Sequence, residues 1–221
     1  MNYPSDLTDK QWECIRSYFE FSNGYGNRRK HPIREMINAI LYVVKTGCQW
    51  RQLPIHFPNW KSVYSYYSRL NKRGVWAQVV DELNRKDRIK KGKKTEPTYA
   101  IIDSQSVKTV SGGEHRGIDG GKKIKGRKRH IAVDSDGRLL HVEMTAANVH
   151  DTKMGGYVIE SVIEKHPTIK AVSADEGYRG NTVDYAEIIL KTVVHISKRI
   201  KNTFAILAKR WIVERTFAWI N

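Results

Sequence analysis

With 221 residues the chain has room for one large domain or two small ones. Lys and Arg number 39 against 23 Asp and Glu, a formal net charge of +16, and 40% hydrophobic with 10% aromatic residues exclude wholesale disorder. The longest uncharged runs, such as Met36 to Val44, fall far short of a membrane span. No apolar leader core follows the amino terminus, where Asp6, Asp9, Lys10 and Glu13 crowd in. A soluble, cytoplasmic chain with a polyanionic partner is predicted, nucleic acid being the commonest such partner, with merely solubilising charge as the alternative. Cys14 and Cys48 have no CxxC partner and read as small core residues in a reducing compartment.

The first part reads as helical. Thr8 and Gln11 form a capping box ahead of Trp12, Ile15 and Phe19. Ser22 to Asn27 is a loop leading into Arg28, Arg29 and Lys30. Behind Pro32, residues Ile33, Met36, Ile37, Ile40, Leu41 and Val44 fall on one face of a helix that Gly47 closes. Further helices are predicted over Trp60 to Leu70 and Val75 to Leu83. Trp12, Trp50, Trp60 and Trp76 are read as core. From Arg85 to Lys94 seven of ten residues are basic, and 85–96 is read as a linker between a helical domain, 1–84, and a second domain, 97–221.

After Pro97 the period changes to that of strands. Thr98 to Ile102 is a short apolar run, and Arg129 to Val133 with Leu139 to Met144 flank the turn Asp134-Ser135-Asp136-Gly137. Asp151 caps a helix bearing Met154, Val158, Ile159, Val162 and Ile163, with His150 in the preceding loop. Ile169 to Ser173 is a strand, Asn181 to Leu190 a helix, Val193 to Ser197 a strand, and Thr203 onward a helix. The order is mixed α/β and fits a ribonuclease H-like sheet between helices, although other α/β folds share it.

Three acids stand out. Asp103 and Asp175 end apolar strands, and Glu214 is the only acid after Glu187. A carboxylate at the end of a buried strand is costly to desolvate without a positive partner. Two such acids and one on a facing helix would offer hard oxygen ligands to Mg²⁺ or Mn²⁺, which suit phosphodiester chemistry. Taken singly, each acid reads as an ion pair or a cap, and Glu214 has Arg210 four residues before it. Other chemistries fail on spacing: a Walker loop would need Gly at 116 and Ser or Thr at 123, where Arg116 and Lys123 stand, and the His and Cys residues lack zinc spacing.

The segments 102–108 (IDSQSVK), 120–130 (GGKKIKGRKRH), 146–151 (AANVHD), 174–180 (ADEGYRG) and 210–219 (RWIVERTFAW), with 47–54 (GCQWRQLP) and the Tyr-rich helix after Trp60, resemble bacterial DDE insertion-sequence transposases of the group named after insertion sequence five. The resemblance covers nearly the full chain. It implies a ribonuclease H-like catalytic core behind an all-helical DNA-binding domain, a catalytic and metal-holding triad of Asp103, Asp175 and Glu214, Mg²⁺ (or Mn²⁺) dependence, and DNA cleavage followed by strand transfer. It also implies that Arg210 helps to hold DNA. The chain stops seven residues after Glu214, where members of the group continue through a further basic stretch. A truncated copy that only binds DNA is one alternative, and a related metal-dependent nuclease that cuts without joining is another.

The basic block from Lys122 to Arg129 (Lys122, Lys123, Lys125, Arg127, Lys128, Arg129) is expected to grip phosphates, against the plain reading of a solvated hairpin face. Lys61 and Arg69, on the Tyr-rich helix, are expected to enter a major groove in a helix-turn-helix manner, against a reading of that helix as core. The expected partners are double-stranded DNA, both element ends and target, and a second copy of the chain in a dimer or larger assembly. The expected setting is the bacterial cytoplasm, in association with the nucleoid.

Overall fold

The computed structural model describes residues 3–20, 30–110, 114–197 and 208–220, and the chain divides into two compact units, Met1–Leu83 and Asn84–Asn221. The loop predicted over Ser22 to Asn27, with Arg28 and Arg29, lies outside the described residues, as does the first part of the helix predicted from Thr203.

The first unit is helical. α1 (Asp9–Ile15) starts at the expected capping box, in which Thr8 Oγ1 accepts from the Gln11 N–H and Gln11 Oε1 from the Thr8 N–H. α2 (Ile33–Thr46) buries Met36, Ile37, Ala39, Ile40 and Val43. Val44, predicted on that face, is 69% exposed, because it lies about 100° round the helix from Val43, where the buried stripe ends. Gly47 closes α2 in the left-handed region at φ 66°, its N–H bonded to Val43 O. α3 (Trp60–Lys72) is capped by Asn59, whose Oδ1 accepts from the Lys61 N–H. Phe19, Ile37, Ile40, Val63, Leu70 and Val75 form the core, with Trp12, Trp50 and Trp76 packed against it.

Two expectations are corrected here. Trp60 is not a core residue; it is half-buried, with the Arg51 and Lys61 cations over its ring at 5.4 and 5.9 Å. Cys14 is exposed and Cys48 only half-buried. The short α1 turns Trp12 and Ile15 inward, which leaves Cys14 outside, and Cys48 follows the cap that ends α2.

α4 (Val75–Lys90) continues past the predicted end at Leu83, and its last two turns belong to the second unit. The segment 85–96 is pinned to that unit. Arg88 is buried, with Nη1 2.5 Å from Asp134 Oδ2, and Lys93 Nζ reaches Asp136 Oδ1 at 2.6 Å.

The second unit is built on six strands: β1 (Tyr99–Lys108), β2 (Gly117–Asp119), β3 (Ile124–Val133), β4 (Leu139–Ala146), β5 (Ala171–Asp175) and β6 (Val193–Ser197). β1 lies between β3, antiparallel to it, and β5, parallel to it. β6 follows β5 in parallel, while β2 and β4 pair with different stretches of β3. α5 (Asp151–Lys165) and α6 (Asn181–Ile188) share one apolar cluster with Ile102, Ala132, Val172 and Ala174 of the sheet. α7 (Ala208–Ile220) presents Val213 and Phe217 to Ile101, Ile131 and Val133, which alternation turns to the other face. Helices thus cover both faces of a mixed sheet, the architecture of a ribonuclease H-like core.

Here too the sequence reading needs correction. β1 runs on to Lys108 because β3 keeps pairing with it as far as Gly126, so Asp103 is mid-strand, not at its end. β2 was not predicted. The turn at Asp134 to Gly137 forms where expected, yet Asp134 itself is fully buried.

Candidate active site

β1 and β5 pair in parallel at Tyr99/Ala171, Ala100/Val172 and Ile101/Ser173, and their pairing ends there. Asp103 and Asp175 each lie two residues beyond Ile101 and Ser173, on the same faces as those residues, so the two carboxylates stand level where the strands are no longer laddered together. They line one cleft with Ile101, Ser173, Ser197, Arg210 and Val213. Each takes a local N–H: Asp103 Oδ1 accepts from Ser104 at 2.7 Å, and Asp175 Oδ1 from Gly177 at 2.9 Å.

Burial pushes the Asp103 carboxyl up to about 7, and the neighbouring Asp175 charge adds to the rise, while the Ser104 N–H, Arg210 and Lys122 pull the other way. The Arg210 guanidinium is held above its ordinary value. Burial opposes its charge, but the bond to Glu214 and the fields of Asp103 and Asp175 outweigh that. Tyr178, in the 3₁₀ turn after β5, is buried among Asp151, Asp103 and Asp175, and its phenol is pushed well above the ordinary range.

Glu214 is on α7, one residue past the buried Val213. Its Oε1 accepts from Arg210 Nε at 2.8 Å, and its side chain is half exposed. Arg210, not Glu214, lines the cleft beside the two aspartates. Among the described residues no three His, Cys, Asp or Glu side chains are grouped as they would be around a metal ion.

Strand alternation divides the basic block. Lys122, Lys123 and Lys125 are exposed and Arg127 is half-buried, its Nε donating to Glu114 O. Arg129 is on the Asp103 face, bonded to Gln105 Oε1 and lying 6.0 Å over Phe217. Lys128 is corrected as a phosphate-gripping residue. It points to the α5 side and is 6% exposed, its Nζ bonded to Val149 O at 2.7 Å and paired with Asp151 Oδ1 at 3.1 Å. In the first unit Lys61 and Arg69 are exposed on α3, and Arg69 lies over Tyr66 and donates to Ser65 Oγ.

The cap of α5 is also reassigned. His150 is the N-cap, its side chain accepting from the Thr152 N–H, and Asp151 is the first helical residue. Asp151 is thereby free to take the Ser104 hydroxyl at 2.7 Å as well as Lys128. Sequence reading missed this group. The available signal was period two: Ser104 and Ser106 fall on the face of β1 opposite Asp103, and Lys128 and His130 on the matching face of β3.

The topology, a mixed sheet with helices on both faces, is that of a ribonuclease H-like core. Residues 94–221, more than half of the chain, match the family described as "Transposase DDE domain", and the chain belongs to that family. Residues 7–80 match a second family, described as "Putative transposase of IS4/5 family". The chain is similar to the uncharacterized protein y4sN of Sinorhizobium fredii (strain NBRC 101917 / NGR234), with 25% identity over 120 residues, 54% of this chain and 86% of that protein. Among solved structures it is similar to the piggyBac transposase of a cryo-EM synaptic complex with hairpin DNA, at a TM-score of 0.44 and 11% identity. That match covers 90% of this chain and 50% of the other, so the chain spans half the length of that transposase. Among the described residues no helix is long and apolar enough to cross a membrane.

Proposed function

We propose that this chain binds the ends of an insertion sequence and carries out metal-dependent phosphodiester hydrolysis and strand transfer, working as a dimer or larger assembly on DNA. The observation that carries this is the pairing of Asp103 and Asp175 at one cleft, at the level where β1 and β5 separate. The donor set fits Mg²⁺ or Mn²⁺. Two hard carboxylates line one cleft, and burial with the repulsion of Asp175 leaves Asp103 short of positive charge that Arg210 and Lys122 only partly supply. Asp103, Asp175 and Glu214 would hold the metal, which when bound activates a water or a 3′ hydroxyl and steadies the leaving oxygen. Arg210 offers its guanidinium to phosphate oxygens at the same cleft while its Nε orients Glu214. Lys122, Lys123, Lys125, Arg127 and Arg129 neutralise phosphates along the strand leading to the site, and Lys61 and Arg69 contact the element end. Such work on DNA places the protein with the bacterial nucleoid.

The test is nicking and joining of supercoiled and short duplex DNA with Mg²⁺ or Mn²⁺, comparing the natural chain with Asp103→Asn and Asp175→Asn. Metal-dependent nicking and end joining that both variants lose is the expected result. Equal activity in the variants refutes the site. Nicking without joining makes the protein a nuclease, and DNA binding with no cleavage makes it a binding protein only.

A further inference from the structure

Behind the paired acids, on the α5 side of the sheet, the core is locally polar. Ser104 and Ser106 of β1 stand opposite His130 and Lys128 of β3, and all four are 7% exposed or less, on a face that is otherwise Ile102, Ala132, Val158 and Ile159. Buried polar groups are retained without loss only when each has a partner. Ser106 Oγ donates to Asp119 Oδ2 at 2.5 Å, and His130 Nε2 lies 3.0 Å from Thr145 Oγ1. The other two converge on a single carboxylate: Asp151 Oδ1 accepts from Ser104 Oγ at 2.7 Å and from Lys128 Nζ at 3.1 Å.

The position of Asp151 matters because of where the ladder stops. Main-chain pairing of β1 with β5 ends at Ile101/Ser173, so no ladder bond joins the two strands directly at Asp103 and Asp175, each of which stays paired only to its outer neighbour, Ile131 and Ser197. Asp151 lies near both of the segments that carry them. On one side it holds Ser104, whose N–H is bonded to Asp103. On the other its Oδ2 lies 3.4 Å from where a Cβ on Gly177 would be, and the Gly177 N–H is bonded to Asp175. A Cβ at 177 would meet Asp175 Oδ1 at 3.0 Å as well, so a side chain there would crowd both carboxylates. Lys128 pairs with that carboxylate, and its second bond, to Val149 O, fixes the entry to α5.

We infer that Asp151 is a positioning residue which, bonded to Ser104, beside Gly177 and with Lys128 as its counter-ion, sets the spacing of Asp103 and Asp175 for divalent-metal binding. This rests on the reading of those two aspartates as metal-holding groups. Partners hydrogen-bonded to a ligand typically cost ten- to a hundredfold in metal affinity when they are lost, and Asp151 acts one step further out, which sets the lower end of that range as the expectation.

The experiment uses the full chain and measures Mn²⁺ affinity by calorimetry, the Mg²⁺ concentration for half-maximal nicking, and the KM for DNA. The variants are Ser104→Ala, Asp151→Ala and, as the control for the underlying reading, Asp103→Asn. Expected for Ser104→Ala and Asp151→Ala is about a tenfold weakening of Mn²⁺ binding, with the same shift in Mg²⁺ requirement and the KM for DNA unchanged. A loss of fold alone would not separate the metal requirement from DNA affinity in this way. Ser104→Ala removes one hydroxyl and carries the test if Asp151→Ala does not fold. Loss of Mn²⁺ binding in Asp103→Asn with natural affinity in folded Ser104→Ala overturns the inference and leaves the aspartate site standing. Natural Mn²⁺ binding in Asp103→Asn overturns both.

Discussion

Replacing Asp134 with Ala removes the carboxylate on which two buried arginines converge. Asp134 is fully buried, and its Oδ2 lies 2.5 Å from Arg88 Nη1 and 2.8 Å from Arg138 Nη1, while its Oδ1 takes the N–H groups of Asp136 and Arg138 at 2.9 and 3.0 Å. Arg138 would keep Asp87 and Asp136, but Arg88 would retain only the carbonyls of Lys94 and Glu96. Uncovering one side of a buried ion pair costs about 3–5 kcal/mol, and orphaning two turn N–H groups adds about 1 kcal/mol or more. At a urea dependence of about 2 kcal/mol per molar, a loss of about 4 kcal/mol lowers the unfolding midpoint of the second unit by about 2 M. Fluorescence and circular dichroism followed together would separate the two units' transitions. The pH dependence has a definite sign. Burial raises the Asp134 carboxyl, but its bonds to Arg138 and the turn N–H groups outweigh this and hold it below the ordinary 3.8. Its stabilisation is therefore complete above that value and is lost as pH falls below it. A midpoint shift under about 0.3 M, or acid unfolding identical in the variant, would refute the account.

His130 is buried, which pushes its imidazole down from 6.5 to about 4. It folds neutral, so stability should fall as pH drops from 6.5 toward 4, by up to about 3 kcal/mol, and His130→Gln should flatten that part of the profile by about one proton; an unchanged profile would count against burial as the cause. Replacing Lys125 and Arg127 together with Ala should reduce the salt dependence of duplex binding, read by fluorescence anisotropy, by about two phosphate contacts. Lys128→Gln should leave that slope alone, and an equal drop there would show that Lys128 does reach DNA.

What was legible in the sequence is what periodicity and end signals carry. The Thr8 capping box, the α2 stripe closed by Gly47, the α5 face of Val158, Ile159 and Val162, and strand β6 over Val193 to Ser197 form as read. The apolar runs before Asp103 and Asp175 do bring those acids to one cleft. The extent of β1 was not legible, because its later half is polar and is held by pairing with a strand distant in sequence. Ser104, Gln105 and Ser106 look like the start of a loop until Arg129 and Lys128 are known to lie opposite. The extent of α4 was hidden for the same reason. A run as basic as Arg85 to Lys94 reads as solvated until Asp134 and Asp136 arrive from a turn some forty residues on.

Three polar residues whose partners sequence reading missed share one property. Asp134, Lys128 and Asp151 were assigned to a turn, a phosphate-gripping block and a helix cap, the exposed roles that their types most often fill. Asp134 does sit in the turn between β3 and β4 but is buried there, and buried Lys128 pairs with the partly exposed Asp151 close to where the β1–β5 ladder stops. An apolar side chain could fill these positions but could not hold an N–H, a hydroxyl or a guanidinium in place. The charge therefore has to go inside, with its counter-ion supplied from another element: Arg88 from α4 for Asp134, and Lys128 from β3 for Asp151. One-residue alternation then does the sorting. On β3, Arg127 and Arg129 face the cleft side while Lys128, between them, faces the α5 side, so neighbouring cations in one basic run have different partners. Composition counts them together; only the register of β3 against β1 tells them apart.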